Sequence, residues 1–142
     1  GLIADGIHVH PDVMRIALAA KPQSDRIFLV TDAMATVGSD QDNFTLNGRT
    51  IYRHDQRLTL ADGTLAGADL TLPQALSVMT QDVGDNLAGA IVRATTTPAS
   101  LLRDPKGVGR IADAACGAVY FRDGMSRSIP IDIRTLEPDL WS

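Results

Sequence analysis

A chain of 142 residues suits one ordinary domain, and a composition of 44% hydrophobic and 21% charged residues reads as soluble and globular, with a core to bury. The formal net charge of −4, with no Lys/Arg run, argues against a surface that neutralises nucleic-acid phosphates or anionic lipid headgroups. The single cysteine, Cys116, rules out an internal disulfide and any CxxC zinc site, which points to a cytoplasmic setting, and no apolar run reaches the length of a membrane span.

The chain opens on "GLIA", an apolar run with no Met and no polar leader, so it is expected to be a processed chain or a fragment of a longer protein. Leu2-Ile3-Ala4 is too short to settle alone. "RIFLVTDA" is clearer: Ile27, Phe28, Leu29 and Val30 form a continuous apolar run, as in a strand buried on both faces of a parallel sheet. Between them, "PDVMRIALAAK" predicts a helix. Pro11 suits its first turn, Asp12 its N-terminus, and Val13, Ile16, Ala17 and Ala20 fall on one face. Strand, helix, strand implies a parallel sheet covered by helices, and so an α/β fold class.

The middle changes character. Asn47-Gly48 between "FTL" and "RTIY" is a strong signal for a hairpin with a type I′ turn, and a second turn is expected at Ala61-Asp62-Gly63. Residues 44–67 thus predict a small β excursion. In "TLPQALSVMTQDVG", Thr71 and Gln74 stand in capping-box spacing, Leu72, Leu76 and Met79 form a core stripe, and Gly84 is the stop. A further helix is expected over "NLAGAIVRAT", and Thr97-Pro98 starts a short helical turn carrying Leu101 and Leu102. From Gly107 onward "GRIADA", "GAVYF" and "RSIPIDI" are strand-like, with Asp123-Gly124 as a turn; the tail "RTLEPDLWS" shows no period.

In parallel α/β folds the reactive side chains lie at the carboxyl ends of strands, which singles out the Asp5 to His10 group and Asp32. At the end of the most apolar strand, burial should raise the Asp32 pKa and a nearby cation lower it, and either tuning suits proton transfer; the plainer role is an aspartate capping the following turn. His8 and His10, two apart on an extended segment, lie on one side, as in an HxH metal pair, yet two ligands do not complete a site. His54, in the polar stretch "YRHDQR", reads as part of a solvated turn. "DGTLAG", Asp62 to Gly67, carries two glycines that would let backbone amides approach a phosphate or sugar closely, although an ordinary turn explains it as well.

"ADGIHV", "LVTDAMA", "GTLAGADLTL" and "ATTTPASLL", in this order over residues 2–102, resemble segments of the N-acetylglucosamine-6-phosphate deacetylases, a family of the amidohydrolase superfamily. The resemblance implies the C-terminal part of a (β/α)8 TIM-like barrel: the last two barrel strands with their helices over residues 1–106, and a C-terminal β segment of an accessory β domain over 107–142. It implies hydrolysis of the N-acetyl group of N-acetylglucosamine 6-phosphate to glucosamine 6-phosphate and acetate, in a homodimer. By resemblance Asp32 is the catalytic aspartate, taking a proton from the attacking water and giving it to the leaving amine. Asp5, Gly6, Ile7 and His8 match a substrate-binding stretch with His8 on the sugar phosphate, and Leu65, Ala66 and Gly67 match a loop that closes over the sugar. His10 is then left at a helix start.

The divalent metal that this implies, zinc or iron, has its ligands on earlier strands, and none of them matches this chain. The chain alone is therefore expected to be inactive. Ala68 stands where the family often has Ser, and "IADAACGAVYF" lacks the usual glycine and acidic residue. Two other functions fit the same residues: a non-catalytic phosphosugar-binding remnant, and an amidohydrolase acting on another amide.

Overall fold

The computed structural model describes residues 1–21, 23, 26–105, 107–110 and two strands at 118–122 and 127–131. Strand β1 (Leu2–Ile3) leads through helix α1 (Pro11–Ala20) to strand β2 (Leu29–Val30). The two strands pair in parallel, Leu2 opposite Leu29 and Ile3 opposite Val30, the arrangement that a crossover helix permits. Of Ile27 to Val30 only Leu29 is buried; the other three are half-buried, so the expected burial on both faces is not met. The reason is the neighbourhood: among the described residues β1 is the one strand paired along β2, with α2 and α3, defined below, packed against it.

Helix α1 begins where the sequence predicts. Pro11 lacks an amide proton that the first turn has no use for, and His10 is the N-cap, its Nδ1 accepting from the Asp12 amide at 3.2 Å. Its buried face is not the predicted one. Met14 is buried and Ala17 and Leu18 are half-buried, whereas Val13 and Ile16 are 53% and 68% exposed and Ala20 is exposed. Several apolar residues on several faces let a 3.6-residue period be satisfied by more than one rotation. Arg15 selects one of them: its Nε donates to the Val83 carbonyl at 3.3 Å and its Nη2 to that of Asp82. Met14 then joins the core with Met79 and Val83.

Strands β3 (Asn43–Leu46), β4 (Arg49–His54), β5 (Arg57–Thr59) and β6 (Leu65–Ala68) form an antiparallel meander in chain order. Asn47 and Gly48 both have positive φ, 50° and 74°, as a type I′ turn requires. Asp55 and Gln56 repeat that sign pattern at 47° and 62° without a glycine. Between β5 and β6 the turn is closed by Asp62 Oδ1, which accepts from the Thr64 amide at 2.9 Å. Ile51 and Leu58 bury the inner face of the meander.

Helix α2 (Leu72–Ser77) is capped by a reciprocal pair, the Thr71 hydroxyl accepting from the Gln74 amide and the Gln74 side chain from the Thr71 amide. It runs on without a break as a wider π-helical turn, Val78–Val83, to Gly84 at φ 82°. The widening coincides with Thr80, whose hydroxyl donates to the Leu76 and Ser77 carbonyls at 2.9 and 3.1 Å and so competes for acceptors of the helix ladder. Leu76 and Met79 are in the core as expected; Leu72 is partly exposed at the entry.

Helix α3 (Leu87–Ala94), N-capped by Asn86, buries Arg93, which donates from Nε to Asp85 Oδ2 at 3.0 Å. The short helix α4 (Thr96–Ala99) follows, with Leu101 and Leu102 exposed beyond it. Strands β7 (Ala118–Arg122) and β8 (Arg127–Ile131) pair antiparallel; the expected Asp123-Gly124 turn, the "GRIADA" strand from Ile111 on and the tail lie outside the described residues. No helix among the described residues is long and apolar enough to cross a membrane.

The rotation of α1 is testable. Met14→Ala should lower the unfolding free energy by about 2–5 kcal/mol in urea titrations, as removal of a core methionine does. Ile16→Ala should change it by less than ~0.5 kcal/mol, as an exposed position does; a loss at Ile16 equal to that at Met14 would mean that the sequence-predicted face is buried after all.

Candidate functional site

Asp5 and Asp32 each stand two residues past a paired position, Ile3 and Val30, so the parallel register brings both out at one end of the sheet. The third group arrives from the meander: Ala68, last residue of β6, bridges to Ala33 in parallel, and its amide donates to the Asp32 carbonyl at 3.0 Å. The Asp5 loop, Asp32 and β6 thereby converge at the carboxyl ends of β1 and β2, although 60 or more residues separate the first from the last in sequence.

At the first of these, Asp5 organises its own loop. Its Oδ1 accepts from the amides of Ile7 and His8, both at 2.9 Å, and its Oδ2 meets His8 Nδ1 at 2.6 Å. The chain doubles back to make these bonds through Gly6 at φ 72°, where a Cβ would meet nothing; the glycine is demanded by the dihedral and not by crowding. The side chains of Asp5 and His8 are 6% and 19% exposed. Burial alone would raise the Asp5 carboxyl, but the bonds from the His8 ring and the Ile7 and His8 amides outweigh it, and its pKa lies below the ordinary aspartate value. An ionised carboxylate only accepts, so Nδ1 carries the proton and Nε2 is the ring's remaining polar atom.

His10 does not join His8. Its ring caps α1 and lies 3.5 Å from Asp12 Oδ2, so the two imidazoles of the HxH pair serve different partners. Among the described residues no three His, Cys, Asp or Glu side chains stand close enough to hold a metal ion. His54 is exposed at the end of β4, 3.1 Å from Asp55.

Asp32 is exposed, so the buried setting expected at the end of the apolar strand is not met. Its φ of 52° is the left-handed region, unusual for a residue with a side chain and costing about 1 kcal/mol or more. Nor is it a turn cap: the Ala33 amide is taken by the Thr31 hydroxyl at 3.3 Å, and among the described residues the Asp32 carboxylate accepts no hydrogen bond.

The segment Leu65 to Gly67 corrects one expectation: it is strand β6 and not a loop. A Cβ on the buried Gly67 would lie 2.4 Å from Met34 Sδ, 2.7 Å from Met34 Cγ and 3.4 Å from the Asp32 carbonyl. Gly67 is glycine so that Met34 and the exit of β2 can approach. Leu65 is partly exposed and Ala66 half-buried.

Two contributors escape sequence reading. Arg53 of β4 donates from Nε to Asp69 Oδ2 at 2.6 Å and from Nη1 to the Ser39 carbonyl at 2.7 Å, tying the meander to the segment after β2. Thr36, in the turn after Met34, is buried with its hydroxyl unpaired among the described residues. No local pattern marks either, because both depend on contacts between distant segments.

Asp32 and the Asp5–His8 pair lie at the carboxyl ends of neighbouring parallel strands, where an α/β chain meets a small polar ligand. The relatives make that class specific. No family model matches the chain, but an N-acetylgalactosamine-6-phosphate deacetylase of Shewanella sp. (strain ANA-3) is 36% identical over 113 residues, 80% of this chain and 28% of that protein. An N-acetylglucosamine-6-phosphate deacetylase of Caenorhabditis elegans is 37% identical over 120 residues, again 80% of this chain and 28% of its own length. The crystal structure of N-acetylglucosamine-6-phosphate deacetylase from Pasteurella multocida superposes with a TM-score of 0.81 at 29% identity, over 88% of this chain and 33% of that one. The chain is thus a relative of the amino-sugar 6-phosphate deacetylases, spanning about a third or less of the length of each of these.

Two measurements probe the site's construction. Gly67→Ala should cost about 1–3 kcal/mol of stability through overpacking against Met34, and adding Met34→Ala should recover much of it; strict additivity of the two would refute the contact. Because the folded-state pKa of Asp5 is depressed, its stabilisation is complete above the unfolded value of roughly 3.9 and is lost as pH falls through the folded value. Wild-type stability should therefore fall more steeply below about pH 4 than that of Asp5→Asn, and parallel acid limbs would show that the carboxylate is not held as described.

Proposed function

We propose that the chain is the portion of an N-acetylglucosamine-6-phosphate deacetylase that carries the proton-transferring aspartate and a phosphate contact. In this reading β1, α1 and β2 belong to the end of a (β/α)8 barrel, residues 107–142 to its accessory β domain, and the whole protein is a cytoplasmic homodimer. The observation that supports it is the convergence of the unpaired Asp32 carboxylate and the Asp5–His8 pair at one end of the sheet, in a chain related to deacetylases of such sugars.

Amide hydrolysis needs one group that removes a proton from water as it attacks the acetyl carbon and returns a proton to the nitrogen as the C–N bond breaks. Asp32 suits both halves. Its carboxylate is exposed and accepts no bond from the described residues, while its backbone is held by the Ala68 amide, so the group is both available and aimed. His8, fixed at Nδ1, leaves its other nitrogen, Nε2, to meet the sugar phosphate. The zinc or iron ion that the resemblance implies does not fit the described residues of this chain, which bring no three donors together. Its ligands would then lie elsewhere in the whole protein.

The Shewanella relative carries the name of the galacto epimer, which favours a second reading in which the sugar is N-acetylgalactosamine 6-phosphate. Acetate release by the full-length gene product from the two 6-phosphates decides between them. Asp32→Asn should lower kcat by about 10²–10⁴-fold on the better substrate, and His8→Ala should raise KM much more for the phosphorylated than for the unphosphorylated sugar. Unchanged turnover in Asp32→Asn, or no acetate from either sugar, would favour a non-catalytic phosphosugar-binding protein or a different amide.

A further inference from the structure

The Asp5 carboxylate is the most completely bonded polar group at the site: three hydrogen bonds from residues within three positions of it, in a side chain that is 6% exposed. Two of these bonds hold the loop that follows β1, and the third holds the His8 ring. A loop needing only to fold would be served by the first two. The third, at 2.6 Å, fixes which ring nitrogen keeps its proton and immobilises the ring about its bonds to the backbone.

We propose that Asp5 is a positioning residue for phosphate recognition: it touches no substrate, but by clamping His8 Nδ1 it presents Nε2 to the 6-phosphate in one orientation. This deepens the proposed function and rests on its assignment of His8. A phosphate is recognised through polar contacts of fixed direction, and a ring held at Nδ1 offers Nε2 along one line. Without Asp5 the ring is free to rotate about its side-chain bonds, and Nε2 no longer points along one line. Gly6 is part of the same device, since its left-handed φ is what brings the His8 ring back to a carboxylate three residues earlier.

Asp5→Asn separates the two duties of the carboxylate, because the isosteric amide oxygen still accepts from the Ile7 and His8 amides while the charge facing the ring is gone. KM would be measured on the full-length gene product for N-acetylglucosamine 6-phosphate and for N-acetylglucosamine, in wild type, Asp5→Asn and His8→Ala. Thermal melts and ¹⁵N spectra of the imidazoles accompany them. The expected result is a rise on the order of tenfold in KM for the phosphorylated sugar in Asp5→Asn, carried by KM and not by kcat, with a far smaller change for the unphosphorylated sugar. The ¹⁵N signals of His8 should shift away from the Nδ1-protonated pattern. A phosphate-selective loss in His8→Ala with none in Asp5→Asn overturns the positioning role and leaves the proposed function standing. No phosphate-selective loss in His8→Ala overturns the phosphate assignment of His8 itself. Equal losses on both sugars in Asp5→Asn, with a lowered melting temperature, overturn the proposal in favour of a purely structural carboxylate.

Discussion

Gly67 and Met34 share a space that holds one side chain. With hydrogen at Gly67, Met34 packs against β6 and the Asp32 carbonyl comes within reach of the Ala68 amide; with any larger group there, the Met34 side chain must move off β6. That contact is where the meander, a unit of local hairpins, is joined to the parallel pair that positions Asp5 and Asp32. Arg53 reinforces the junction from the far side by bridging Asp69 and the Ser39 carbonyl. The left-handed backbone of Asp32 is sustained from outside its own loop, since isolated residues of this kind relax to negative φ and persist only where neighbours over-determine them. The geometry of the candidate base thus depends on a strand more than 30 residues later in the chain.

The parts legible in the sequence are those whose cause is local. The Thr71 and Gln74 capping pair, the Asn47-Gly48 turn, Pro11 at a helix start and Gly84 at a helix end each act within four residues, and each appears in the structure. The strand–helix–strand order and hence the α/β class follow from the same local signals. The face that α1 buries was not legible, because Val13 and Ile16 are as apolar as Met14 and Leu18, and the choice is made by Arg15 reaching carbonyls 67 and 68 residues away. The π-helical turn was hidden for a related reason: a threonine in a helix pattern is compatible with an ordinary ladder until its hydroxyl takes two of the carbonyls.

The site divides along the same line. Position at strand ends singled out Asp5, His8 and Asp32, and the parallel register brings their segments together. What sequence reasoning assigned wrongly was environment. Asp32 was expected in a buried setting because its strand is apolar, yet a residue two positions past the last pair has left the sheet and meets solvent. Gly67 was read as part of a ligand-approaching loop or an ordinary turn, whereas it lies in strand β6 and its missing side chain accommodates a methionine. Glycine in a strand signals close approach, and sequence alone does not say of what.

The two carboxylates at this end of the sheet are chemically alike and structurally opposite, and the difference assigns their tasks. Asp5 is buried, triply bonded and held below its ordinary pKa, so it stays an anion, is unavailable to exchange protons, and acts through the ring that it holds. Asp32 is exposed and accepts no bond from the described residues, so its oxygens meet solvent, while the strain and the Ala68 bond fall on its backbone. A group that must take and return a proton needs the second environment; a group that must fix the orientation of another needs the first. Local bonding, made possible by a left-handed glycine in one case and by a distant strand in the other, is what lets two aspartates on adjacent strands serve different ends.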